Sequence, residues 1–406
     1  MALPLGPMDA RSGPQRPERD SLTVLHIAPT PFFSDRGCHV RVRGLISALN
    51  AKSYRNILCT YPHGRDVPGI ETVRIGSIRG YTKTEAGPSP FKYLADLLLF
   101  FKACDVILRR RPDIIHGHLH EGALIGWAAR LCFFWRRIPL VFDVQGSLVG
   151  ELAQHGYFER WGVRRSLFRA IEYLITRMPE YFTCSSGRTA SLLMREFGVP
   201  SKRIIVIHDG ADVVPEESVS GAAEARRLPI VIYTGGLIEA KGLGTLREVI
   251  LEAHRRQLEC RFLLVGYPTG PMIDFVREQG LREFCAITGR VPFEQLGIYL
   301  GVASVAIEPK AGTSTEASGK LLNYMAAGLP VVCFDIETNR ELLGDPGYYA
   351  QPGSVAGIVD RLAEILTEPE EARWRGDLGR IRVDMTFSWE AGANDVSGVY
   401  RSCLAS

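Results

Sequence analysis

The residues whose types and spacing could do chemistry gather around Ser318-Gly319-Lys320. There a polar loop meets a helical run that stops at Gly328-Leu329-Pro330 and leads into the apolar stretch Val331–Phe334. A glycine-lysine loop at a helix N-terminus is an anion site: backbone N–H groups point outward, the helix dipole favours negative charge, and the lysine adds a full positive charge. Such a site suits the phosphates of a nucleotide. Many strand-loop-helix units carry a capping glycine and bind nothing, so this loop needs company. A second loop supplies it: the apolar run Ile230–Thr234 enters Gly235-Gly236, then LIEA, then Lys241-Gly242. Paired glycines let backbone N–H groups approach a phosphate, and Lys241 can neutralise a diphosphate leaving group. Alone, that loop reads better as a plain glycine turn with a solvated lysine.

Three more loops stand at the ends of apolar runs. Phe262–Val265 ends in Gly266, Leu22–Ala28 leads to Arg36-Gly37, and Ile114–His116 leads to Gly117-His118-Leu119-His120. Alternating histidines on a strand would share a face, but Gly117 and the position at a strand end predict a loop. No acidic or cysteine partner stands at metal-ligand spacing from His116, His118 and His120, so no metal is assigned. A histidine facing a cleft as acid, base or hydrogen-bond donor is the better reading.

These loops need elements to position them. The chain has 406 residues, 46% hydrophobic and 23% charged, enough for two domains. A net charge of +3 is too small to imply nucleic acid, and nine cysteines without metal-site spacing read as reduced thiols of a cytoplasmic protein. Residues 1–20 lack an apolar core and read as a disordered tail rather than a secretory signal. Short apolar runs at 22–28, 56–59, 114–116, 140–143, 181–184 and 204–208 alternate with helical stretches, and a second series follows at 230–234, 262–265, 302–307 and 331–334. The small polar stretch at 213–228 reads as a linker between them. Buried strands alternating with helices imply parallel sheets covered on both faces, with ligands at the carboxyl ends of the strands. The expectation is an α/β protein: an N-terminal Rossmann-like domain over 21–212, a second over 229–386, and a cleft between them.

The segments IAPTPFFSDRG, PDIIHGHLHEG, FDVQGS, CSS…VIHDGAD, YTGGLIEAKG, LLVG and SGKLLNYMAAGLPVV, in that order, resemble a retaining glycosyltransferase of the GT-B architecture, family 4 (glycosyl transferases group 1). The likeness runs from Val24 to about Trp389. It implies that the C-terminal domain binds a nucleotide-sugar, the N-terminal domain receives the acceptor, and residues 387–406 cross back onto the N-terminal domain. Carried over residue by residue, it places Lys241, Gly235, Gly236 and Gly266 around the diphosphate, with Gly37 against the phosphates from the opposite domain. Ser318, Gly319 and Lys320 would hold phosphate oxygens or sugar hydroxyls, Glu316 would contact the donor sugar, and His118 would lie near the anomeric carbon. His118, Lys241 and Glu316 are the implied catalytic set. Two positions depart from the family pattern: Gly236 replaces an arginine, and Asn323 replaces the glutamate that binds ribose hydroxyls. They keep a non-catalytic homologue in view as an alternative, beside a sugar-nucleotide 2-epimerase of the same fold.

The implied reaction is transfer of a sugar to an acceptor hydroxyl with retention, in surface polysaccharide or glycolipid synthesis. It calls for no cofactor and no metal, because fixed positive groups face the leaving diphosphate. The N-terminal domain also carries FKYLADLLLFFK before Arg109-Arg110-Arg111, LCFFWRR at 131–137, and Trp161 to Arg169. Basic residues beside aromatics suit an anionic membrane surface and a lipid-linked acceptor; buried helices with solvated cationic ends are the competing reading. The first of these is too interrupted by charge to span a bilayer.

Overall fold

The computed structural model describes residues 21–82, 89–154, 158, 162–211, 228–310 and 318–405. The tail, most of the linker, Trp161 and Glu316 lie outside them. Two parallel sheets carry the chain. The first has β1 (Thr23–Ala28), β2 (Arg55–Thr60), β3 (Glu71–Arg74), β4 (Ile114–His118), β5 (Leu140–Val144), β6 (Tyr181–Cys184) and β7 (Ile204–Val206) in the order β3-β2-β1-β4-β5-β6-β7. The second has β8 (Ile230–Thr234), β9 (Arg261–Val265), β10 (Cys285–Ile287), β11 (Val305–Glu308), β12 (Val331–Phe334) and β13 (Tyr348–Ala350) in the order β10-β9-β8-β11-β12-β13.

In each sheet the order reverses once, between β1 and β4 and between β8 and β11, which is where an open α/β sheet leaves a crevice at its carboxyl edge. Central strands such as TVLHIA and LVFDV are buried throughout, so they show as continuous apolar runs in the sequence. The edge strands β3 (ETVR) and β10 (CAI) are partly exposed and carry no such signal. The apolar run at 302–307 starts ahead of its strand and stops one residue short of it, for β11 begins at Val305 and includes Glu308. The loop expected at Gly117-His118 is instead the end of β4, because Gly117 has the close approach of Ala123 and Gly122 to accommodate, not a turn.

The helix at Gly319–Ala326 ends as its sequence requires. Gly328 takes φ +68°, its N–H donates to the Met325 carbonyl and that of Leu329 to Tyr324, and Pro330 follows. Helix Pro369–Thr386 packs on that helix in the second domain, and helix Trp389–Ala405 then crosses to helix Gly37–Ala51 in the first. Val396, Val399 and Tyr400 share a core there with Val24, Leu45 and Val141.

The crossing depends on where Trp389 sits. A Cβ on Gly44 would lie 2.2 Å from its ring, and one on Gly210 would lie 2.6 Å from its backbone nitrogen. Gly44→Val is therefore expected to destabilise the protein by about 1–3 kcal/mol through overpacking. Gly37→Ala, with nothing within 4 Å of its Cβ, should leave stability within about 0.5 kcal/mol. Urea unfolding followed by fluorescence checks both.

Candidate functional site

The carboxyl ends of β8 and β11 flank the second sheet's reversal, and they bring the two basic loops together. β8 turns at Gly235 with φ +124°, a conformation that favours glycine. A Cβ there would lie 3.7 Å from Lys320 Nζ. Gly266 serves this turn: a Cβ on it would meet the Gly235 carbonyl at 1.9 Å, so a small residue at the end of β9 lets the two strand ends close up. Gly236 is followed by the short turn Glu239–Lys241, and the Lys241 stem lies 3.8 Å from where a Gly236 Cβ would be. Gly235, Gly236, Gly266, Lys241 and Lys320 thus form one constellation.

Glu308, at the end of β11, organises it. Its carboxylate is 1% exposed and lies 3.2 Å from Lys320 Nζ; it accepts from the Ser318 hydroxyl and, at 3.1 Å, from the Lys310 backbone N–H. Burial opposes its ionisation, yet the Lys320 charge and the Ser318 hydrogen bond hold its carboxyl below the ordinary value of 4.5. Lys320 Nζ also stands 4.3 Å above the Tyr233 ring, a cation–π contact, and Tyr233 donates its hydroxyl proton to the Gly236 carbonyl at 2.8 Å. Glu308 and Tyr233 were not among the residues singled out by sequence. The one signal for them was an acidic residue closing a buried apolar strand.

Asn323 lies one turn beyond Lys320 on the same helix, partly exposed. The anion that meets the first turn of this helix comes from the other domain: a Cβ on Gly319 would lie 2.8 Å from Asp209 Oδ2. Asp209 in turn accepts from Arg41 at 2.8 Å. Across the cleft, helix Gly37–Ala51 begins with no side-chain cap from Arg36, and Gly37 is exposed with open space beside it. An uncapped first turn leaves backbone donors for an incoming anion.

His118 is placed differently from a cleft-facing acid. It is 1% exposed; Nδ1 lies 3.1 Å from Asp143 Oδ2 and Nε2 lies 3.0 Å from His26 Nδ1. Both ring nitrogens are therefore engaged inside the first domain. His120 turns the other way, with Nε2 3.5 Å from Glu172. Asp143 also accepts from Arg41, Thr183 and Gln145. Burial works against its charge, but Arg41 and His118 hold it well below the usual carboxylate range.

Residues 36–210 match the family described as Glycosyl transferase 4-like domain, and residues 228–368 match Glycosyl transferases group 1. The MMP alpha-(1->4)-mannosyltransferase of Mycolicibacterium hassiacum is 25% identical over 378 residues, 85% of this chain and 89% of the relative. The GDP-mannose-dependent alpha-(1-6)-phosphatidylinositol monomannoside mannosyltransferase of Mycobacterium tuberculosis is 25% identical over 337 residues, 78% of this chain and 84% of the relative. Among solved structures, sucrose-phosphate synthase from Thermosynechococcus elongatus superposes with a TM-score of 0.79 at 20% identity, covering 95% of this chain and 99% of its own.

Removing the Glu308 charge strands Lys320, whose side chain is 14% exposed. Glu308→Gln should cost about 3 kcal/mol or more, and Glu308→Gln with Lys320→Met should cost less than the single change. A group whose folded value is depressed stabilises above its unfolded value and loses that contribution as pH falls through the folded one. The penalty of Glu308→Gln, measured by urea unfolding, should therefore be full at pH 7 and shrink below pH 4.5.

Proposed function

We propose that this chain, a group 1 glycosyl transferase with the GT-B architecture, moves a sugar from a nucleotide-sugar to an acceptor hydroxyl with retention of anomeric configuration. The observation that carries this reading is the convergence of Lys320, Lys241 and the Gly235-Gly236 turn at the reversal point of the second sheet, opposite the uncapped helix at Gly37. As the phosphate-linked bond breaks towards an oxocarbenium-like state, negative charge builds on the leaving diphosphate. Lys241 and Lys320 are the groups that would stabilise it, with backbone donors of the glycine turn. Glu308 acts on Lys320 rather than on the donor, holding the ammonium over Tyr233 so that little reorganisation is needed when charge develops. Asn323 would take ribose hydroxyls by neutral hydrogen bonds. These fixed positive groups take the place of a donor-bound metal. Closure of the cleft would keep water from the donor.

The acceptor is lipid-linked in this reading, and the protein works as a peripheral enzyme on the inner face of the cell membrane. Helix Lys92–Arg110 is apolar on two faces. Ala95, Leu99, Ala103 and Val106 are buried, whereas Tyr93, Leu94, Leu97, Phe101 and Leu108 are all at least 46% exposed. The exposed set falls within about 100° of the helix circumference. Phe134 and Trp135 add 72% and 64% exposed rings beside Arg136 and Arg137. Exposed apolar surface rimmed by arginines suits an anionic bilayer. No described helix is long and apolar enough to cross a membrane. One relative acts, by its name, on a phosphatidylinositol mannoside with GDP-mannose as donor, the same acceptor class.

Millimolar UDP, GDP or ADP should raise the unfolding temperature, one base more than the others. Saturation a hundredfold over Kd corresponds to about 2.7 kcal/mol. Lys320→Ala and Lys241→Ala should each abolish most of the shift, and proton NMR of the product should show the donor's anomeric configuration. No response to any nucleotide would exclude a working donor site. Separately, vesicles containing anionic lipid should sediment the protein at low salt and release it as salt screens the attraction. Phe101→Ser with Trp135→Ser should weaken sedimentation, and failure of the unaltered protein to bind at low salt would refute the membrane reading.

A further inference from the structure

A cluster outside the donor site has no part in the transfer reaction as described. His26 on β1 stands opposite His116 on β4 in parallel register, and His118, two residues on, shares its face. All three are buried, with ring centroids 4.7 to 5.3 Å apart. One nitrogen from each lies within 4.8 Å of the others.

The hydrogen bonds around this cluster have a fixed polarity. Asn50 Nδ2 donates to the Gly69 carbonyl at 2.8 Å, which leaves Asn50 Oδ1 to accept from Asn56 Nδ2 at 2.8 Å. Asn56 Oδ1 therefore faces His26 Nε2, 2.9 Å away, and that nitrogen must carry a hydrogen. At the far end the Asp143 carboxylate faces His118 Nδ1 at 3.1 Å, which must carry one too. A neutral imidazole has a single N–H. With both hydrogens directed outward, His26 Nδ1 and His118 Nε2 turn lone pairs on each other across 3.0 Å. A positive species belongs between them. A shared proton would serve those two nitrogens only. It would leave the third ring unsatisfied: His116 Nδ1 pairs with the Tyr400 hydroxyl at 2.7 Å, while its Nε2 is buried with no partner among the described residues. A metal ion uses all three.

We propose that His26 Nδ1, His116 Nε2 and His118 Nε2 bind a divalent transition metal ion, zinc by the chemistry of the ligands, at the reversal point of the first sheet. Three imidazoles supply three of zinc's usual four positions. Each ligand has an outer partner on its other nitrogen, Asn56, Tyr400 or Asp143, and the last makes a carboxylate–histidine–metal chain. Tetrahedral bonds of about 2.1 Å set the nitrogens about 3.4 Å apart; the His26 and His118 nitrogens, now 3.0 Å apart, would part slightly, and the three nitrogens already lie within 4.8 Å of one another. Asp143, paired with Arg41 at 2.8 Å, sets its carboxylate behind the His118 ligand. The ion would be structural: it would join β1 and β4 and, through Tyr400, pin helix Trp389–Ala405 across the first sheet.

The test is metal analysis of untagged full-length protein, purified without chelator and again after loading with zinc chloride and desalting. About one zinc per chain is expected. Chelator should lower the unfolding temperature, and zinc but not magnesium should restore it. His120→Gln should keep the metal and His116→Asn should lose it. If His116→Asn does not fold, cobalt loading of the unaltered protein decides instead, by the presence or absence of the intense visible absorption of a tetrahedral site. A zinc-loaded wild type without stoichiometric metal overturns the proposal, as does a folded His116→Asn that retains it.

Discussion

The buried carboxylate of Asp143 is the constraint on which the first domain and the domain crossing depend. It is fully buried near the end of β5 and accepts from four side chains: Arg41, His118, Thr183 and Gln145. Arg41 continues from it to the Ile207 carbonyl and to Asp209, which stands against Gly319 of the other domain. One charge thus fixes helix Gly37–Ala51, three neighbouring strands and the first turn of the helix that carries Lys320. Burying a carboxylate is costly, and the Coulomb gain repays it only when the remaining lone pairs are satisfied. Here they are. The positions of helix Gly37–Ala51, Asp209 and Gly319 are therefore tied to one charged network rather than to separate local preferences.

Contacts at the open side of the cleft are of another kind. Glu294 of the second domain pairs with Arg65 at 2.8 Å and Arg43 at 3.1 Å, and Asp35 of the first accepts from the Phe293 N–H at 3.0 Å. Arg65 and Glu294 are 42% and 48% exposed. Exposed pairs of this sort contribute about 0–1 kcal/mol each and weaken with salt. The crossing side, with Trp389 seated against Gly44 and Gly210, is backbone in close contact. Close backbone contact on one side and screened ion pairs on the other make the two sides of the cleft unequal in strength.

Much of this was legible in the sequence, for a physical reason. Strands buried on both faces show as apolar runs, and glycine, proline and lysine mark the turns, so both sheets and the Gly235-Gly236, Lys241 and Lys320 loops could be placed. Edge strands such as Glu71–Arg74 could not, because half-exposed strands need no apolar run. Nor could the pairings that only the fold makes. Lys320 could be recognised as a cation, but that Glu308 matches its charge depends on the helix start folding back over the end of β11. The histidines show the same limit. Spacing grouped His116, His118 and His120, whereas the fold removes His120 to Glu172 and brings in His26 from β1, 92 residues before His118. Local pattern reads faces; it does not read strand order.

Charge around the Gly235-Gly236 turn bears on the two positions, 236 and 323, at which the sequence departs from the pattern its resemblance implies. Gly236 brings no side chain to that turn and Asn323 a neutral amide, while Lys320 is paired with Glu308 at 3.2 Å. The dipole of helix Gly319–Ala326 is met by Asp209, whereas the first turn at Gly37 has open space beside it. An arginine at 236 would extend beside Lys241, where the Gly236 Cβ position is 3.8 Å from the lysine stem, and would add like charge at close range. Glycine at 236 thus spares Lys241 a like charge at close range.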